Sequence, residues 1–200
     1  MRRRFAVAAV LLAMSFPSTA SAQAPPPDER AAAQGFAEAA ERYAETLESI
    51  EVDFEMDRRC GRGFAKLPKA RQEAASWLAF AYGVRLAVYR MTPAMRQFRT
   101  DLANVPTLDP ALIAGRAAVR RLGRAWAAVP PPESLCRQLR AWRRAGYPRS
   151  TTRAAESQLH ELFDAFSPAI ARRFEAAGLR MRELGVSRED AERFGGEGGW

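Results

Sequence analysis

The chain has 200 residues, of which 48% are hydrophobic and 27% charged, and a formal net charge of +8 at pH 7. One histidine and two cysteines exclude multi-histidine metal sites and disulfide-dense scaffolds. Arginine outnumbers lysine 29 to 2, a bias that GC-rich coding produces by itself, so arginine number alone argues nothing about function.

Arg2, Arg3 and Arg4 precede an apolar run from Phe5 to Met14, and Ala20-Ser21-Ala22 follows as a small-residue cleavage site. This is the layout of a secretory signal peptide over residues 1–22, cut after Ala22. The apolar run falls short of the roughly 20 residues a membrane-spanning helix needs. The chain is therefore expected in the periplasm or outside the cell. The three arginines fit both the general secretory route and a loose twin-arginine signal. The remaining ~178 residues make one domain by length.

Pro25-Pro26-Pro27 closes a Pro-rich spacer, residues 23–27, and Asp28 is an N-cap for a helix running to about Arg58. Phe36, Ala40, Tyr43, Leu47, Ile50 and Phe54 follow a 4-3 spacing, a single apolar seam. The second helix starts near Pro68. Its seam, from Trp77 to Val105, keeps phase across Thr92-Pro93, which predicts one long helix bent at Pro93. A second apolar face, including Leu78, Tyr82, Leu86 and Tyr89, predicts a central helix contacted on two sides.

Asp109-Pro110 reads as an N-cap followed by a proline at the first helical position. Leu112, Val119, Leu122, Trp126 and Val129 form the stripe of a third helix, and Gly115 on that stripe permits close backbone approach. Pro130-Pro131-Pro132 separates a short fourth helix, which Gly146-Tyr147-Pro148 ends. A fifth begins at Ser150 or Thr151 and carries Leu159, Phe163, Phe166, Ile170, Phe174, Ala177, Met181 and Leu184. An extra four-residue step after Ser167-Pro168 predicts a kink there. Gly185 closes that helix, and Ser187-Arg188-Glu189-Asp190 resembles a capping box for a further turn or two.

The expected fold is an all-α, up-and-down helical bundle. It has four long helices and a short fifth, kinks at Pro93 and Pro168, and one disulfide. The bundle occupies residues 28–185, and residues 186–200 make a short capping helix with a flexible Gly-rich tail. The disulfide joins Cys60 and Cys136, the one pairing possible in an exported chain with two cysteines.

No catalytic constellation stands out. His160 is the one histidine, flanked by Glu156 and Asp164 on one helix face. The paired Glu-x-x-His signature of di-iron bundles is absent, as is the C-x-x-C-H haem attachment. Met91 and Met95 sit on a seam and read as core. Glu133-Ser134 resembles the acid-serine pair of some glycan-cleaving enzymes, but an acid at a helix start is explained by the helix dipole. No enzyme activity, metal or cofactor is expected.

Charge is the informative feature. Residues 28–57 carry a net −8, residues 58–154 a net +16, and residues 155–200 a net −3. Two readings follow. Either Arg116, Arg120, Arg121, Arg124, Arg137, Arg140, Arg143 and Arg144 form a surface for anionic envelope polymers or lipid headgroups, or the acidic first helix lies beside the basic helices and neutralises them. On a helical wheel, Leu135, Leu139 and Trp142 face the core and Cys136 sits at the edge of the arginine face. The disulfide would then bring Asp53 and Asp57 near Arg140 or Arg143. The expected function is that of an exported, non-catalytic interaction or scaffold protein of the envelope. The alternatives are a binder of anionic envelope components and a cofactor- or metal-carrying bundle. Nucleic acid is disfavoured by the compartment.

Overall fold

The computed structural model describes residues 27–50, 60 and 69–195. The predicted signal peptide, most of the predicted spacer, Phe54, Asp53, Asp57 and the terminal Gly-rich tail lie outside the described residues. Among the described residues every regular element is a helix, as the seams predict. No described helix is long and apolar enough to cross a membrane.

Helix α1, Glu29–Glu48, starts where Asp28 accepts hydrogen bonds from the backbone N–H groups of Arg30 and Ala31. It buries Phe36, Ala40 and Tyr43 with the small residues between them. It ends ten residues before the predicted Arg58. The hydroxyls of Thr46 and Ser49 donate to the carbonyls of Arg42 and Thr46, local bonds that compete with helix continuation. The last turn carries no basic residue to offset its acids against the helix dipole.

Helix α2, Lys69–Ala103, continues through Pro93 as one element, as the unbroken phase predicts. The Thr92 hydroxyl donates to the Val88 carbonyl one turn back. Helix α3, Pro110–Ala127, has Asp109 as N-cap and Pro110 in its first turn. The predicted stripe of Leu112, Val119, Leu122 and Trp126 is buried. Gly115 is on it, and a Cβ there would come within 2.7 Å of the Ala177 Cβ.

Helix α4, Pro132–Arg144, and helix α5, Arg149–Asp164, follow. Helix α6, Pro168–Glu183, and helix α7, Arg188–Gly195, complete the described chain. α4 and α6 end in the same way. Gly146 (φ 75°) and Gly185 (φ 94°) take the left-handed conformation after the caps. The N–H groups of Tyr147 and Val186 then bond back to the carbonyls of Trp142 and Met181.

One expectation is corrected. Pro168 is not a kink inside one helix. α5 stops at Asp164, two tight bonds to the Phe163 and Asp164 carbonyls turn the chain, and Pro168 opens α6. A proline lacks the N–H that a continuing helix would need, and it is well suited to a first turn. The irregular step in the seam marked this break. In consequence Phe163, expected on the seam, is exposed, and Leu162 is buried instead. After residue 185, α7 packs on the same body: its Phe194 is fully buried among Phe36, Phe98 and Phe174 at centroid distances of 5.4, 6.2 and 5.8 Å.

The packing divides into two cores. The larger gathers α1, the C-terminal part of α2, α3, α6 and α7. The smaller contains Leu78 and Tyr82 of α2, Leu135 and Leu139 of α4, Tyr147, Ala155 and Cys60. α2 enters both, the two-sided role its double apolar face predicts.

Candidate anion-binding face

α4 illustrates how the sequence builds this face. Leu135 and Leu139 turn into the smaller core, and Trp142 packs edge-on against Tyr82 at 5.8 Å. The opposite side is left to Arg137, Arg140, Arg143 and Arg144, all exposed. Cys136 lies half-buried between the two and is bonded to Cys60, with Cα atoms 5.0 Å apart.

On α3, Arg120 and Arg124 lie one turn apart, with Arg121 beside them, and all three are exposed. Arg116 differs. Its Nη2 donates to the Val105 carbonyl at 2.6 Å, and its guanidinium lies 5.6 Å from the centre of the Phe36 ring. Burial, then the charge of Arg120, pulls its pKa below the ordinary value. Arg116 therefore ties the α2–α3 loop to α3, and the exposed set is Arg120, Arg121, Arg124, Arg137, Arg140, Arg143 and Arg144.

Two acids of α1, Glu29 and Glu41, have other partners. Glu29 accepts hydrogen bonds from the Thr107 hydroxyl and the Leu108 N–H. Glu41 pairs with Arg193 of α7 at 3.4 Å, and the base Arg42 pairs with Asp101 of α2 at 3.3 Å. α1 packs on α2, α6 and α7. The cross-helix ion pairs of α1 among the described residues thus run to α2 and α7, not to the arginines of α3 and α4.

His160 is exposed on α5. Among the described residues no group of three His, Cys, Asp or Glu side chains is placed to share a metal ion.

A second feature went unnoticed in the sequence. Arg85 of α2 is 7% exposed. It lines a cleft of about 250 Å³ between α2, the end of α3 and α5. Its Nη1 donates to Gln158 Oε1, and its guanidinium lies 5.8 Å from the centre of the Tyr82 ring. The Tyr82 hydroxyl donates to Gln138 Oε1 of α4 at 2.7 Å. Burial pulls the Arg85 pKa down, opposed by Tyr82 and by the Glu161 carboxylate. The signal was present. At 100° per residue Arg85 falls between Ala81 and Leu78, in the middle of the buried face.

Comparisons with protein-family models, with curated proteins and with solved structures find no match, so the function is argued from these residues alone.

Proposed function

We propose that this is an exported, non-catalytic helical protein that acts in the cell envelope by docking its arginine face on an anionic component. Residues 1–22 supply the export signal, cut after Ala22, and the mature chain carries the face outside the cytoplasm. The bundle, bent at Pro93, holds α3 and α4 as a fixed support for it.

One observation carries this reading. Seven arginines on two successive helices are exposed, while Glu29 of α1 is bonded to the loop before α3 and Glu41 of α1 pairs with Arg193 of α7. Exposed like charges raise the local potential and attract polyanions or headgroups over about one Debye length, ~8 Å at physiological salt. Internal neutralisation by the acids of residues 28–57 is the competing reading, and its Asp53 and Asp57 lie outside the described residues. A scaffold role remains compatible, with the arginine face as its attachment.

The test is retention of the mature protein on a heparin column and on vesicles containing anionic phospholipid, across a salt series. The reading expects retention at low salt that falls steeply as salt rises. The heparin arm reports a polymer and the vesicle arm a headgroup surface. Retention on neither, or retention that ignores salt, contradicts it.

A further inference from the structure

The Arg85 cleft is a second site, separate from the exposed arginines. Arg85 is buried, yet the hydrogen bond it makes is to a neutral amide, Gln158. Among the described residues no carboxylate lies within ion-pair distance of it. Glu161, the nearest acid by its effect, is exposed at the edge of the same cleft. A buried charge without a counter-ion is costly, and one partner at Gln158 leaves most of the five guanidinium N–H donors for others.

We propose that this cleft binds a small carboxylate with a short apolar tail. The planar fork of a guanidinium matches a carboxylate with two parallel hydrogen bonds. Ala125, Val129 and Leu162 supply the apolar wall for the tail. The volume of about 250 Å³ lies below the roughly 300–1,000 Å³ of pockets for drug-sized molecules, so the occupant is small. Two sources share this chemistry: a simple monocarboxylate, and an α-amino acid whose ammonium group faces Glu161.

The experiment is calorimetric titration of the mature protein with 4-methylpentanoate, with leucine, and with 3-methylbutylamine, which keeps the tail and lacks the carboxylate. Saturable binding of either of the first two, and not of the amine, is the expected result. Binding of leucine alone adds Glu161 as the partner of its ammonium; binding of both assigns the affinity to the carboxylate. Arg85→Met should weaken binding at least tenfold, the loss expected for hydrogen bonds between charged groups. Ala125→Leu fills the cleft from α3 without touching Arg85. It should abolish binding with an unchanged far-ultraviolet circular dichroism spectrum, and it decides the matter if Arg85→Met does not fold. Neutralising Arg120, Arg124, Arg137 and Arg144 should leave this binding intact. No binding of either carboxylate at millimolar concentration, equal binding of the amine, or undiminished binding by the Ala125→Leu variant overturns the proposal.

Discussion

Asp109 Oδ2 lies 2.7 Å from Arg180 Nε, while Asp109 Oδ1 accepts from the backbone N–H groups of Ala111 and Leu112. One carboxylate thus starts α3 and fastens it to α6. Burial acts to raise its pKa. The hydrogen bond from Arg180 and those from the Leu112 and Ala111 N–H groups outweigh it and hold the carboxyl below its ordinary value. A group with a depressed pKa stabilises the fold above its unfolded-state pKa, about 3.9 for Asp, and loses that contribution as pH falls through the folded value. Asp109→Ala should cost about 0.5–2 kcal/mol from the lost cap. Asp109→Asn keeps an acceptor for the cap and loses the charge. Urea unfolding should show wild type more stable than Asp109→Asn at pH 7, with the gap closing below pH 3.9. A gap independent of pH would contradict the role of the ionised carboxylate.

Phe194 binds α7 to the larger core through three aromatic neighbours. Phe194→Ala should cost about 3–5 kcal/mol, the range for a buried aromatic ring. Gly115→Ala should also destabilise, by about 1–3 kcal/mol, because the added methyl meets Ala177 and the Phe194 ring edge. Its gain in helix propensity is smaller than that. Equilibrium unfolding of both variants checks the packing. A neutral Phe194→Ala would mean that α7 is not part of the cooperative unit.

The disulfide joins residues 76 apart in sequence and links Cys60 to the smaller core. Constraint of the unfolded chain by a loop of that length stabilises by at most ~4.5 kcal/mol. Replacing both cysteines by serine should lower stability toward urea by a few kcal/mol or less and leave the larger core helical. Circular dichroism with and without reductant measures this. Equal unfolding midpoints would show that the bond constrains nothing.

The sequence showed most clearly those features that depend on a few adjacent residues. Asp109-Pro110 and the glycines at 146 and 185 placed helix ends because cap chemistry is local. The phase across Pro93 carried α2 through as one helix, since apolar spacing records which side faces the core. Gly115 was legible as a close approach for the same reason. The break at Pro168 was marked by its proline and the irregular step, but a kink and a break share that signature. Phe194 could not be read from its surroundings, because a short polar helix is held by partners far away in the chain. Arg85 shows the limit most sharply. Its angle placed it among buried residues, but what it bonds to depends on α5, more than seventy positions later. The fate of the α1 acids was equally a matter of which helices become neighbours.

The account stands or falls on the exposed arginines of α3 and α4. The most direct measurement is salt-dependent retention on heparin and on anionic vesicles of the chain from Gln23 onward beside a variant carrying Arg120→Gln, Arg124→Gln, Arg137→Gln and Arg144→Gln. These side chains are exposed, so the variant should fold as wild type does. The account predicts that wild type is retained at low salt and that the variant elutes at markedly lower salt or is not retained. Identical salt profiles for the two proteins would contradict it.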